Sequence, residues 1–269
     1  MKAENKAPIA GQSNRGNKDG CIKSNTILKL SYGIKNNESI SNTRLKEALQ
    51  YAQLGWPVLP CYSIDNSKCS CSNSACKSPG KHPRTMNGLK DASINPQVIK
   101  EWWTQWPDAN VAITTGPDSG LAVLDVDVKN GGIENLDLLE SEFGTIPKTL
   151  VAETGGRGRH YIFKCPASGF KNSAGIISSG IDTRGDRGYI LVEPSNHISG
   201  RTYSWLDNEP GEIELAEVPE WIHKKLLSKK SQTNSHRVAA GGISEGSRND
   251  FLTSEAGKLR RIGMDVDTI

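Results

Sequence analysis

Two aspartates one residue apart, Asp125 and Asp127, sit in the otherwise apolar run LAVLDVDVKNGG (121–132). Side chains alternate along a strand, so both carboxylates share the face of Val123, opposite Leu124, Val126 and Val128. The strand rise puts their Cα atoms about 6–7 Å apart. At an effective dielectric of about 20, two charges at that range repel by roughly 3 kcal/mol, and desolvation adds to the cost. A divalent cation on that face removes the problem, as Mg²⁺ or Mn²⁺ does in phosphoryl-transfer sites. The pattern fits an edge strand with solvated carboxylates as well. KNGG fits a plain turn or a loop that lets phosphates approach the backbone.

Two later stretches bear on that choice. In ETGGRGRHYIFKCP (153–166) three glycines and two arginines precede a strand carrying His160. Arg157 and Arg159 can pair with phosphate, and His160 offers a ring donor; a simple Gly/Arg hairpin turn is the alternative. No G-x-x-x-x-G-K-[ST] occurs, so this is not a Walker loop. In GIDTRGDRGYILVEPSNHISGRTYSW (180–205) Asp182 and Arg184 share a face if the stretch opens as a strand. Asp182 then adds a third carboxylate to a metal site, or serves as an ordinary cap or salt-bridge partner. Asp186 reads as a turn residue.

A separate cluster reads as a metal site. Cys69-x-Cys71-x4-Cys76-x5-His82 offers three thiolates and an imidazole, a set that closes a tetrahedral structural Zn²⁺ site with no open position. Without a secretory signal, metal binding is favoured over disulfides. Free thiols, with His82 belonging only to GKHP, are the alternative. Cys61 follows a strand and reads as core, and Cys21 and Cys165 have no partner pattern.

These residues need a scaffold, and the 269-residue chain is long enough to supply one large domain. Helical spacing marks 43–54 and 94–107, the second with Asn95 as cap and Pro96 at the first helical position. Further helices are predicted at about 133–143 and 219–227. Strands are predicted at 56–62, 111–115, 121–128, 149–153, 159–164 and 189–192. Helices and strands intersperse, so the fold class is α+β or mixed α/β. Trp102, Trp103 and Trp106 on the second helix read as core packing rather than base stacking. Residues 1–40 read as a disordered or flexible arm and 41–227 as the main folded domain, with the zinc-binding loop at 69–82. Residues 228–247 read as a linker and 248–269 as the start of a helical segment that stops in mid-pattern. Net charge is +3 overall and +4 within residues 1–40, so any basic surface elsewhere must be local. No apolar run is long enough to span a membrane, and no secretory signal is visible; a cytoplasmic protein is expected.

The order of D-x-D, a glycine-rich stretch ending in His, and Ile181-Asp182 resembles the archaeo-eukaryotic primase superfamily. Within it, the chain is similar to the bifunctional DNA primase/polymerase (prim-pol) domain of phage and plasmid replication proteins. GWPVLP, PGKHPR (79–84) and the WW helix before NVAITTG also match, and the resemblance covers about residues 44–225. It implies a primase-like α+β core with β-sheets flanked by helices and a zinc-binding loop. It implies that Asp125, Asp127 and Asp182 hold two Mg²⁺ or Mn²⁺ ions, and that His160 contacts the triphosphate. Arg157, Arg159, Arg184 and Lys81 would lie near phosphates. The implied partners are single-stranded DNA template and primer, nucleoside triphosphates, and a helicase that follows on the C-terminal side, as a further domain or as a separate protein. The implied activity is templated nucleotidyl transfer, DNA priming and polymerisation in a bacterial or archaeal cell. One departure is Glu193, where family members often carry a small residue or proline. A retired, nucleic-acid-binding primase fold and a metal-dependent nuclease or phosphatase are the other readings of the same residues.

Overall fold

The computed structural model describes residues 42–232. The arm, most of the linker, the C-terminal segment and Cys21 lie outside them. Helix α1 (Thr43–Gln53) starts where Asn42 accepts from the amides of Arg44 and Leu45, and it buries Ala48, Tyr51 and Ala52. Strand β1 (Val58–Cys61) leads into a small hairpin of β2 (Ile64–Asp65) and β3 (Lys68–Cys69). Helix α2 (Pro96–Gln105) is capped by the Asn95 side chain and buries Ile99 and Trp103. Strands β4 (Asn110–Thr115) and β5 (Leu121–Val126) precede helix α3 (Gly132–Phe143). Then come β6 (Leu150–Glu153), β7 (Arg159–Lys164), β8 (Ser173–Ser178), β9 (Ile181–Arg184), β10 (Gly188–Leu191), β11 (Ser204–Leu206) and helix α4 (Glu220–Gln232).

The strands form two main antiparallel sheets. The smaller runs β1-β4-β10, the larger β11-β6-β7-β5-β9-β8. One apolar cluster joins the sheets: Val58, Val111, Ile113 and Ile190 of the small sheet meet Val123, Leu150 and Ile162 of the large one, with Tyr51 and Trp103 from α1 and α2. A second cluster lies on the other face of the large sheet, where Ala122, Leu124, Val126, Phe163 and Ile181 pack on Leu136 and Leu139 of α3 and on Trp221 and Ile222 of α4. β5 is therefore covered on both faces, unlike a half-exposed edge strand, and reads as a near-continuous apolar run for that reason. This is a mixed α+β core of sheets flanked by helices.

Several boundaries differ from the sequence reading. The strand expected to reach Val128 ends at Val126, because Asp127 accepts from the Lys129 amide and caps a 3₁₀ turn over Val128–Asn130. Val128, expected on the buried face, is 40% exposed. The last helix runs to Gln232, so the first residues expected as linker are helical. The β2–β3 hairpin, β8 and β11 carry short or weakly alternating patterns and were not legible. Trp103 is core, its indole N–H donating to the Ala109 carbonyl at 3.1 Å, and Cys61 is fully buried.

Candidate active site

Strand register assembles the site. Asp125 of β5 stands directly opposite His160 of β7 on one side and Asp182 of β9 on the other. His160 in turn faces Ala152 of β6. The row Ala152–His160–Asp125–Asp182 thus crosses four neighbouring strands on one face of the large sheet. The preceding row on that face, Leu150–Ile162–Val123, belongs to the dry inter-sheet core and ends on Arg184. The carboxylates begin where that core stops and a cleft opens.

The charges in this row are matched. The Arg184 guanidinium donates through one nitrogen, Nη2, to Oδ2 of both Asp125 and Asp182, each at 2.9 Å. His160 Nε2 lies 3.4 Å from the other Asp125 oxygen. Burial pushes the Asp125 pKa up, but His160 and Arg184 outweigh it and hold the carboxyl well below its ordinary range. Asp182 also accepts from the Gly175 amide at 2.9 Å. Asp127 is exposed and sits just past the strand end, with one oxygen used in capping. All three carboxylates line one cleft of about 900 Å³. Oxygen donors of this kind suit hard, octahedral cations such as Mg²⁺ or Mn²⁺, and the space between Asp125 and Asp182 already draws a positive group.

The other expected residues divide. His160 is buried in the cleft floor, and its Nδ1 has no partner among the described residues. Lys81 lines the cleft, as do Lys129 and Arg187. Arg184 lines it too, but is committed to the two carboxylates. Arg157 and Arg159 do not line it. Arg157 sits exposed at a turn, and Arg159 is exposed on the opposite face of β7 from His160, beside the Tyr161 hydroxyl. Adjacent residues on a strand point to opposite faces, so Arg159 and His160 cannot serve one cleft from regular backbone. Glu193 faces away; its carboxylate accepts from the Trp205 amide at 2.9 Å.

Lys129, Arg187, His197 and Tyr203 line the cleft and escaped the sequence reading. His197 follows β10 and is 7% exposed. The Ser199 amide donates to its Nδ1 at 3.2 Å, and the Ser199 hydroxyl, 3.0 Å from the same nitrogen, donates to the Gly155 carbonyl at 2.6 Å. With Nδ1 accepting, Nε2 carries the ring proton. Burial, then Lys81, Lys129 and Arg201, depress its pKa and keep the ring neutral. Gly155 makes room for it: a Cβ there would lie 2.2 Å from His197 Cβ. The signal was Gly155, whose missing side chain leaves the volume that His197 fills. Tyr203, 3% exposed, lies with its ring 6.1 Å from that of His160.

The Cys/His cluster is also assembled. The ligand atoms of Cys69, Cys71, Cys76 and His82 all lie within 4.8 Å of one another. His82 Nε2 is 3.4 Å from Cys69 Sγ and 3.5 Å from Cys76 Sγ. Tetrahedral Zn²⁺ with ordinary Zn–S and Zn–N lengths requires an S···N edge of about 3.5 Å, so the donor set fits that ion.

Comparison with known families returns two matches. The family model for the N-terminal domain of bifunctional DNA primase/polymerase covers residues 48–221. That for primase C terminal 1 covers residues 236–269. No curated protein matches the chain. Among the described residues, no helix is long and apolar enough to cross a membrane.

Proposed function

The chain belongs to the bifunctional DNA primase/polymerase family, and from that premise we propose that it is an active, template-directed nucleotidyltransferase that makes and extends primers on single-stranded DNA. The observation that carries the reading is the composition of one cleft. Three carboxylates from two adjacent strands and the turn beyond one of them share it with Lys81, Lys129, Arg187 and the neutral His197. A volume near 900 Å³ is in the range of small-molecule sites. An acidic patch beside a basic one suits a metal–triphosphate, whose oxygens need both.

In this reading Asp125, Asp127 and Asp182 hold two Mg²⁺ or Mn²⁺ ions. Bound there, such ions lower the pKa of an attacking hydroxyl and neutralise charge on the pentavalent phosphorus and the departing pyrophosphate. The protein's own part is positioning. Lys81, Lys129 and the His197 Nε2–H hold phosphate oxygens in line. His160 divides its Nε2 donor between Asp125 and a phosphate oxygen. Arg184, which pairs with Asp125 and Asp182 here, would be released for phosphate where cations take its place. The Cys/His cluster holds structural Zn²⁺. A phage or plasmid replication protein acting with a helicase fits these parts. The test is primer synthesis on single-stranded DNA with ribo- or deoxynucleotides and Mg²⁺ or Mn²⁺. Incorporation by the wild type that Asp125→Ala abolishes, with an unchanged fold, supports the reading. Nucleotide-independent cleavage of DNA would instead favour a nuclease, and DNA binding without incorporation a retired site.

A further inference from the structure

The loop that carries the Cys/His cluster has no core of its own. From residue 64 to residue 79 no side chain is buried, and its only regular structure is a hairpin of two residues per strand. A segment like this cannot hold itself by apolar burial, yet it forms part of the cleft wall. Ser78 and Lys81, between the ligands Cys76 and His82, line the cleft.

The connections of Ser78–His82 run in two directions. Towards the cluster, the Gly80 amide donates to Cys69 Sγ at 3.3 Å, and His82 is itself a ligand. Gly80 has φ +72, and a Cβ there would lie 2.9 Å from Ile64 Cδ1, so this turn is shaped against the hairpin. Towards the sheet, Asn110 of β4 donates to the Gly80 carbonyl at 2.9 Å, and the Tyr189 hydroxyl of β10 donates to the Lys81 carbonyl at 2.9 Å. Asn196 exchanges two hydrogen bonds with the backbone of Ile64, at 2.9 and 2.7 Å, one residue before His197. Lys81 also bears electrostatically on His197. The backbone of Lys81 is thus clamped between the cluster and the sheet, with its ammonium in the cleft.

We propose that the metal at Cys69, Cys71, Cys76 and His82 sets the affinity of the cleft for nucleoside triphosphate, by fixing the Ser78–His82 segment so that Lys81 meets a phosphate. The proposal rests on the nucleotide reading of the cleft and makes the zinc loop a positioning device rather than a stabiliser of distant structure. Zinc acts here only through backbone, and within this segment Lys81 is the residue that touches the ligand.

The experiment measures the binding of a non-hydrolysable nucleoside triphosphate, together with zinc content and Tm. Cys76→Ser is expected to lose zinc and to bind the triphosphate about tenfold more weakly, the size of one lost charged hydrogen bond. Lys81→Ala is expected to lose a similar factor while keeping its zinc. The double variant should bind no more than about twofold worse than either single one, because both remove the same contact. Unchanged affinity in Cys76→Ser, or losses that multiply in the double variant, would overturn the proposal. Should Cys76→Ser fail to fold, Tyr189→Phe cuts only the cleft-side bond to the Lys81 carbonyl. Weaker binding at full zinc content, with no further loss on adding Lys81→Ala, is then the expected result, and unchanged binding refutes the clamp. Zinc-loaded wild type that binds no triphosphate would overturn the nucleotide reading along with it, whereas binding that ignores the clamp overturns the clamp alone.

Discussion

Arg184→Met keeps the aliphatic stem and removes the charge shared by Asp125 and Asp182. Each Oδ2 lies 2.9 Å from the same Nη2, so the two oxygens stand no more than about 5.8 Å apart, twice that distance. Without the guanidinium, two unit charges at that separation repel by about 3 kcal/mol at an effective dielectric of 20. Solvent reduces this, since the three side chains are 33%, 23% and 29% exposed. Surface pairs contribute at most about 1 kcal/mol, and breaking a buried pair costs about 3–5 kcal/mol. A half-buried triad falls between, at about 2 kcal/mol, or a Tm lower by roughly 4–8 °C for a domain of this size. The assay is thermal unfolding of zinc-loaded protein, first without and then with Mn²⁺. The variant should unfold earlier in the first condition. It should also gain more from Mn²⁺ than the wild type, whose guanidinium already occupies the carboxylates the ion needs. Arg159→Met, on the exposed opposite face, is the control and should change Tm by less than half as much. An Arg184→Met Tm equal to the wild type without Mn²⁺, or equal gains in both proteins, would refute the assignment of Arg184 as the countercharge of this pair.

Asp125→Asn should fold and keep its zinc but lose primer extension by at least about a hundredfold, since the amide neither attracts a cation nor answers Arg184; near-normal extension rates would remove Asp125 from the site. His197→Asn should weaken triphosphate binding by a few-fold, read by equilibrium titration. His197 also predicts a pH effect. Its folded pKa is depressed, so the unfolded chain takes up more protons as pH falls below about 6.5, and stability present above that pH is lost on acidification. Tm measured from pH 7.5 to 5 should therefore fall less in His197→Asn than in the wild type. Trp103→Ala, which removes a 1%-exposed indole and its bond to the Ala109 carbonyl, should cost about 3–5 kcal/mol in denaturant unfolding while leaving bound zinc unchanged.

The elements that bear the site were legible where local signals were strong. Helical spacing announced α1, Asn95 and Pro96 announced α2 by capping chemistry, and β5 and β7 showed in length and apolar density. The Cys/His cluster was legible because its ligands are close in sequence and their chemistry is narrow. What failed depended on contacts the sequence does not order. Alternation assigned Asp127 to the strand, but its side chain found a closer partner in the Lys129 amide and ended the strand. Arg157 and Arg159 were expected near phosphates beside His160, yet strand parity sends Arg159 to the α3 side, and Arg157 sits at an exposed turn. His197 had no local pattern at all: its place depends on Gly155, 42 residues earlier, yielding the volume it fills.

The same register explains how a strand covered on both faces carries one carboxylate near its end and a second just past it. Along one face of β5 the environment changes within five residues, from Val123 at 0% exposure, through Asp125 with 23% of its side chain exposed, to the solvent-facing Asp127. The D-x-D spacing is the period of a strand leaving its core at the mouth of a cleft. Asp125 is the costly one of the two, and it is the one given His160 and Arg184; Asp127 needs neither because water reaches it. A spacing of one would have sent the second carboxylate to the face where Val126 packs in the apolar α3–α4 cluster, away from His160 and Arg184, and a spacing of three would have moved it beyond the cap and off the shared face. The pair is thus fixed by burial as much as by chemistry: at this strand end only positions 125 and 127 combine one face, one cleft and a tolerable desolvation cost.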